Sequence, residues 1–273
     1  MEWICPDCEQ TLRQDTKNWF CANGHSFDIA KQGYINLHAV QVKNSKQPGD
    51  SKTMIQARRR FLSAGHYQVL VASLIQNLMA VLADKPGSTE WLDIGCGEGF
   101  YVEQLNAVLP QIHWHGIDIS KEAIKLAAKT NNVGQFAVAS NRHIPVADHC
   151  CDGVLQIFSP GFDTETARVL KPAGTLIRVT PGPEHLREIK DSLYETTREH
   201  QPATPPAGFT RKETSRVEDV IHLRDPAAID DLLQMTPYRW RGNRTAKSDM
   251  VQKDNLTVHL DFTVEQFEKQ DQA

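Results

Sequence analysis

Cys5, Cys8, Cys21 and His25 stand in the pattern C-x2-C-x12-C-x3-H. That spacing lets two short loops present three thiolates and an imidazole to one Zn²⁺ in a tetrahedron. Four protein ligands leave no open position for a substrate, so the expected ion is structural. A segment of about 40 residues has little core of its own and folds around its metal.

A second chemical signal lies at Asp93-Ile94-Gly95-Cys96-Gly97-Glu98-Gly99. Glycines between a strand and a helix allow a tight turn and let a ligand approach the backbone. The third glycine comes one residue earlier than in the dinucleotide fingerprint G-x-G-x-x-G. Asp118 ends the next expected strand, 21 residues after Gly97, where a carboxylate can accept hydrogen bonds from both ribose hydroxyls. The D-x-G-x-G-x-G form with that acid points to S-adenosylmethionine over NAD. Asp93, Gly95, Cys96, Gly97, Gly99 and Asp118 are the candidate cofactor residues, Cys96 through its backbone alone.

A third signal is charge. Residues 41–60 carry Lys43, Lys46, Lys52, Arg58, Arg59 and Arg60 against Asp50, a local balance of +6 − 1 = +5. These six cations are candidate phosphate contacts for a nucleic acid. Three successive arginines on a helix spread over ~200°, so at least one is expected to pair internally. Arg239-Trp240-Arg241, with Arg244 and Lys247, forms a second basic cluster around a ring suited to base stacking.

The elements that must hold these groups follow from periodicity. Helical spacing runs over 54–64 and 67–82, with Ala64-Gly65-His66 as the break. Strands are expected at Ser26–Ile29, Tyr34–Leu37, Thr89–Ile94, Ile112–Asp118, Gln135–Ala139, Asp152–Ile157 and Thr175–Thr180. Helical patterns at 99–109, 120–130, 163–170 and 184–197 alternate with the later ones, which implies parallel βαβ units. Arg216–Leu223 and Leu256–Val264, around a helix at Pro226–Met235, suit an antiparallel pair at the sheet edge.

The 273 residues, 40% hydrophobic, are enough for one α/β core and a small satellite. A formal charge of −4 excludes a uniformly basic nucleic-acid coat. The longest apolar run, Val69 to Ala83, is interrupted by Ser73, Gln76 and Asn77 and is shorter than the ~20 residues of a membrane span. No membrane helix is expected, and the start lacks the basic and apolar blocks of a signal peptide. A cytoplasmic location follows, with the cysteines as thiols or metal ligands.

In order and spacing, nearly the whole chain resembles the bacterial 23S rRNA (guanine-N1)-methyltransferases of the RlmA type. The resemblance is carried by the cysteine–histidine quartet, Pro48-Gly49-Asp50-Ser51, Met54-Ile55-Gln56-Ala57-Arg58-Arg59, Ala64-Gly65-His66-Tyr67, Asp93 to Gly99, Lys171-Pro172 and Pro181-Gly182-Pro183 with His185-Leu186. It implies an α/β fold of the class I S-adenosylmethionine-dependent methyltransferases, Rossmann-like with a mostly parallel seven-stranded sheet, and a small N-terminal zinc-binding domain. The expected division is a zinc-binding RNA-recognition domain at 1–40, a basic linker at 41–60 and the methyltransferase domain at 61–273. The implied partner is a hairpin of 23S rRNA; a homodimer is left open.

The resemblance adds Tyr67, Phe100, Tyr101 and His185 to the cofactor contacts. Asp152 and His185 are the candidate acceptors for the guanine N1 proton. Two departures stand out: Ala173 where the family pattern has glycine, and Ile157-Phe158-Ser159-Pro160-Gly161 in the fourth-strand loop, where the base is expected. The ribbon is expected to be separable from cofactor binding, so that loss of Cys5 would spare cofactor uptake. The competing readings are a small-molecule methyltransferase and a non-enzymatic zinc-containing RNA-binding module.

Overall fold

A computed structural model describes residues 1–38, 49–83, 85, 87–130, 134–193, 205–239 and 243–270. The N-terminal segment contains β1 (Arg13–Gln14), β2 (Asn18–Phe20) and β3 (Ser26–Asp28), a three-stranded antiparallel ribbon. β4 (Ile35–Asn36) leaves that ribbon and pairs in parallel with β7 (Gly134–Val138) of the large sheet. The expected strand at Tyr34–Leu37 therefore exists but belongs to the other sheet.

Helix α1 (Lys52–Ser63) begins at Ser51, whose hydroxyl accepts from the Met54 N–H, and buries Ile55, Ala57, Phe61 and Leu62. Gly65, at φ +85°, turns the chain into α2 (Gln68–Leu82). There follow β5 (Thr89–Ile94), α3 (Phe100–Val108), β6 (Ile112–Asp118), α4 (Lys121–Thr130), β7, β8 (Cys151–Ile157), α5 (Asp163–Val169), β9 (Leu170–Pro181) and α6 (Arg187–Leu193). The chain closes with β10 (Phe209–Leu223), α7 (Pro226–Gln234), α8 (Arg244–Val251) and β11 (Leu256–Lys269).

The sheet order is β10-β11-β9-β8-β5-β6-β7-β4. Seven of these strands make the expected sheet, with β11 antiparallel between β9 and β10; the ribbon contributes the eighth. Pairing of β5 with both β6 and β8 puts the switch in strand order at the carboxyl end of β5. In open α/β sheets that crevice is where ligands bind.

Strand alternation splits the core in two. Trp91, Trp114, Phe136, Leu155 and Ile177 face one side, where they pack with residues of α2, α3, α4, α6 and α7. Leu92, Ile117, Ala137, Val154 and Leu176 face the other, where Trp3, Cys5, Leu12, Cys21, Ile35 and Leu37 complete the cluster. The connection 139–150 between the parallel strands β7 and β8 contains no helix, although such crossovers usually do. The ribbon fills that place. The Ile4 N–H donates to the Pro145 carbonyl (3.0 Å) and the Ala147 N–H to the Glu2 carbonyl (3.0 Å). Trp3, 1% exposed, donates from Nε1 to Gln135 Oε1 at 2.7 Å.

Candidate cofactor cavity and metal centre

The ligand atoms of Cys5, Cys8, Cys21 and His25 all lie within 4.8 Å of one another. Cys5 Sγ and Cys21 Sγ stand 3.4 and 3.5 Å from His25 Nδ1, and Cys8 Sγ stands 3.6 Å from Cys21 Sγ. A tetrahedron with Zn–S near 2.3 Å and Zn–N near 2.0–2.1 Å has edges of roughly 3.5–3.8 Å. The geometry therefore fits zinc, and among the described residues the group comprises these three thiols and one imidazole. Burial pushes the Cys5 thiol up to about 11, a proton that a bound ion would displace.

The second site is a cavity of about 1230 Å³ at the carboxyl ends of β5, β6, β8 and β9. The glycine turn forms its floor. The N–H groups of Gly95 and Cys96 both donate to the Ile117 carbonyl (2.8 and 3.0 Å), which ties the turn to β6. A Cβ on Gly95, at φ +77°, would lie 2.3 Å from Ser159 Oγ. The glycine is thus needed for close approach of the β8 loop as well as for backbone conformation. Gly99, at φ +78°, is the N-cap of α3 and does not line the cavity.

Asp118 accepts from the Gly97 N–H through Oδ2 (3.0 Å) and from the Ser120 N–H through Oδ1 (2.7 Å). It locks the turn and the start of α4 together. Asp93 is 2% exposed and its Oδ1 has no hydrogen-bond partner among the described residues. Burial, reinforced by the charges of Asp118 and Glu98, pushes it up to about 8. Glu98 Oε1 and Tyr101 Oη are likewise buried without partners, and both residues line the same cavity. Burial also raises Glu98 and Asp118. Orphaned acceptors beside a glycine turn suit a ligand that brings cationic groups and hydroxyls, and S-adenosylmethionine has both.

Tyr67 and His185 form the opposite wall. The Asp261 N–H donates to His185 Nδ1 at 3.3 Å, and Nε2 lies 3.4 Å from Tyr67 Oη. The neutral ring therefore carries its proton on Nε2, toward the tyrosine. Burial, then the charge of Lys190, lowers His185 to about 4. Neither feature suits a group meant to take a proton from substrate.

Asp152 is not in the cavity. It sits at the amino end of β8, where it accepts from the Glu90 N–H (2.9 Å) and from Lys171 Nζ (2.8 Å). A parallel strand places its first residues at the far edge of the sheet from the ligand crevice, so the candidate acceptor role is withdrawn.

The arginine triplet is also placed differently. Arg58 pairs with Asp50 (2.5 Å), Arg59 with Glu103 (2.5 Å) and Arg60 with Asp231 (2.5 Å). The sequence predicted at least one internal partner; all three have one, and Arg58 turns inward to line the cavity. Lys52 is exposed. Lys43 and Lys46 lie outside the described residues, as do Trp240 and Arg241 of the second cluster, whose Arg239 bonds Gln234 and whose Lys247 bonds backbone carbonyls. Sequence reasoning missed Asn141, Met235 and Thr236 in the cavity wall. Asn141 lies just beyond β7, and Met235 and Thr236 lie at the end of the expected helix Pro226–Met235, where nothing local shows which way the chain faces.

Sheet order, glycine turn, terminal acid and buried unpartnered carboxylates define a class I S-adenosylmethionine-dependent methyltransferase with a structural zinc ribbon. Residues 3–46 match the family described as "RlmA, N-terminal", and residues 86–220 match a methyltransferase domain. The 23S rRNA (guanine(748)-N(1))-methyltransferase of Streptomyces fradiae is 34% identical, over 69% of this chain and 66% of that one. YxjB of Bacillus subtilis is 30% identical over 95% of each chain. The crystal structure of YcgJ from Bacillus subtilis aligns with a TM-score of 0.45 at 14% identity, over 76% of this chain and 100% of that one. The chain belongs to the RlmA-type 23S rRNA (guanine-N1)-methyltransferase family.

Proposed function

We propose that this protein transfers a methyl group from S-adenosylmethionine to N1 of a guanine in a hairpin loop of 23S rRNA, in the cytoplasm. The observation that carries the reading is the path of the ribbon. Its last strand extends the cofactor sheet beside β7, and the chain re-enters at Gly49-Asp50-Ser51 as part of the cavity wall. An RNA loop gripped by the ribbon would have a base within reach of the crevice.

The bound cofactor supplies an electrophilic methyl carbon on a sulfonium. The chain's own residues position it. Asp118 takes the ribose hydroxyls, Asp93 and Glu98 face the cationic groups, and the turn from Gly95 to Gly97 meets the ligand with its backbone. Phe100, Tyr101, Tyr67 and His185 enclose it. Transfer of that methyl group to guanine would form a carbon–N1 bond in place of the sulfur–carbon bond and would release the N1 proton. With both ring nitrogens of His185 engaged and Asp152 remote, that proton would go to water, and alignment of methyl and nitrogen would supply most of the acceleration. A hairpin base costs less to unstack than one in a duplex.

Incubation with cofactor labelled in the methyl group, followed by separation of 23S rRNA from small molecules, tests this. Label in rRNA, with a primer-extension stop at one guanine, supports the reading, because N1 methylation blocks base pairing. One observation favours the rival small-molecule enzyme: the three arginines expected to bind phosphate are each paired with a carboxylate. Label confined to a metabolite fraction would establish that rival.

A further inference from the structure

We infer that Arg58 is the anion clamp of the cofactor cavity: its guanidinium, held from one side by Asp50, donates from the other to the α-carboxylate of S-adenosylmethionine. The inference rests on the cofactor of the proposed function and is independent of which nucleotide receives the methyl group.

The first observation is a charge still without a partner. The cofactor carries an ammonium, a sulfonium and one carboxylate. Asp50, Asp93, Glu98 and Asp118 line the cavity and can answer the two cations. None of them can answer the carboxylate, since like charges at close range disfavour each other. Among the described lining residues Arg58 is the one lysine or arginine, and burial holds His185 neutral.

The second observation is where α1 puts that cation. Met54, Arg58 and Leu62 follow one another at intervals of four on one face of the helix, and all three line the cavity. Arg59 and Arg60 turn away to Glu103 and Asp231. Arg58 is thus set between two apolar side chains, where an ion pair is stronger than in open water. Burial opposes its charge, but Asp50, Glu98 and Asp118 outweigh that cost and keep the guanidinium protonated.

The third observation is which N–H groups remain. Arg58 Nη2 donates to Asp50 Oδ2 at 2.5 Å, its one hydrogen bond among the described residues. Asp50 is itself fastened, because its carbonyl accepts from Ser120 Oγ at 3.0 Å. Arg58 Nη1 faces the glycine turn: a Cβ on Gly97 would stand 3.5 Å from it. A guanidinium carries five N–H donors in one plane, so the end toward the turn is left to offer. That end lies where the ligand meets the backbone, and hydrogen bonds between guanidinium and carboxylate are among the strong ones.

Calorimetry on the zinc-loaded full chain tests the clamp with two ligands. One is S-adenosylhomocysteine, which keeps the carboxylate and lacks the reactive methyl; the other is its decarboxylated analogue. Wild type should bind the first about 10–100-fold more tightly. Arg58→Gln should lose that factor on S-adenosylhomocysteine and bind the analogue as wild type does, so that the preference vanishes. Arg58→Lys keeps the charge without the fork and should keep part of the preference; it decides the matter if Arg58→Gln does not fold. Equal losses on both ligands in either variant would make Arg58 a structural residue. A full preference in either variant would assign the carboxylate to the backbone N–H groups at the start of α3. Each of these results overturns the clamp alone, as does a wild type that binds the two ligands equally. A wild type that binds neither would overturn the cofactor of the proposed function and the clamp together.

Discussion

The zinc ribbon and the cofactor cavity lie on one sheet and treat buried polar groups in opposite ways. At the ribbon, three thiols and an imidazole converge with the edges of a metal tetrahedron. At the cavity, Asp93 Oδ1, Glu98 Oε1 and Tyr101 Oη are buried without a hydrogen-bond partner among the described residues. A permanent ligand completes the first region, while the second stays incomplete until a transient ligand enters. Stability should therefore be concentrated at the ribbon, and binding free energy at the cavity, where unpaired groups gain most from a partner.

The largest expected effect comes from breaking the ribbon. Trp3, Cys5, Cys21 and Ile35 share a core with Leu92, Ile117 and Val154 of the sheet, and the ribbon stands in for a crossover helix. Chelation, or Cys5→Ser, should lower the melting temperature by about 10 °C or more in one transition. Cofactor binding should be lost with it. This reverses the sequence expectation that cofactor uptake survives without Cys5. Two separate transitions, with binding retained after the first, would show the ribbon to be an appendage after all.

At the cavity, Asp118→Ala should weaken cofactor binding by about 100-fold or more, since the two charge-assisted hydrogen bonds proposed for it with ribose would be lost together. The Gly97 and Ser120 N–H groups also lose their acceptor. Its hydrogen-bond partners are Gly97 and Ser120 and not the metal ligands, so zinc content should stay at one ion per chain. Calorimetry and metal analysis on the same sample check both halves.

The contrast also explains what the chain disclosed before its fold was known. Metal ligands and the glycine turn are contiguous in sequence, so their spacing carried their chemistry. β5 and β6 fell where alternation put them, Thr89–Ile94 and Ile112–Asp118. The failures involve partners distant in sequence. Nothing local in Arg58-Arg59-Arg60 reveals that Asp50, Glu103 and Asp231 receive them. Asp152 looked like a candidate base because position along a strand says little about which edge of the sheet is open. Tyr34–Leu37 read as a strand, but its pairing with β7, 100 residues away, could not be seen in a local pattern. The same is true of β1, β2 and α8, which are short and weakly periodic.

A smaller effect separates the regions by pH. Asp93 is raised from 3.8 to about 8. A carboxyl raised in the folded state contributes stability below its unfolded pKa and loses it as pH rises through the folded one. The ligand-free protein should thus lose stability between about pH 4 and 8. A cationic ligand pairs with the ionised form, so cofactor affinity should rise across the same window, by at most about tenfold per pH unit, with protons released. Calorimetry in buffers of different ionisation enthalpy reads that release, and Asp93→Asn should abolish it.

The smallest effect tests whether left-handed backbone means the same thing in both settings. Ala173 has φ +55° in an exposed position of β9, away from the cavity. Its side chain is exposed, so Ala173→Gly should relieve strain and stabilise the fold by about 0.5–1 kcal/mol. For a chain of this size that is a rise of about 1–4 °C in melting temperature. Rates and cofactor affinity should not move. Phe158 shares the conformation to within 2° of φ, but its ring lines the cavity, so Phe158→Gly is expected to cost turnover. If both glycine variants behaved alike, strain at the cavity mouth would be an accident of folding, as it is at Ala173, and the division of labour between a completed region and a waiting one would have to be drawn elsewhere.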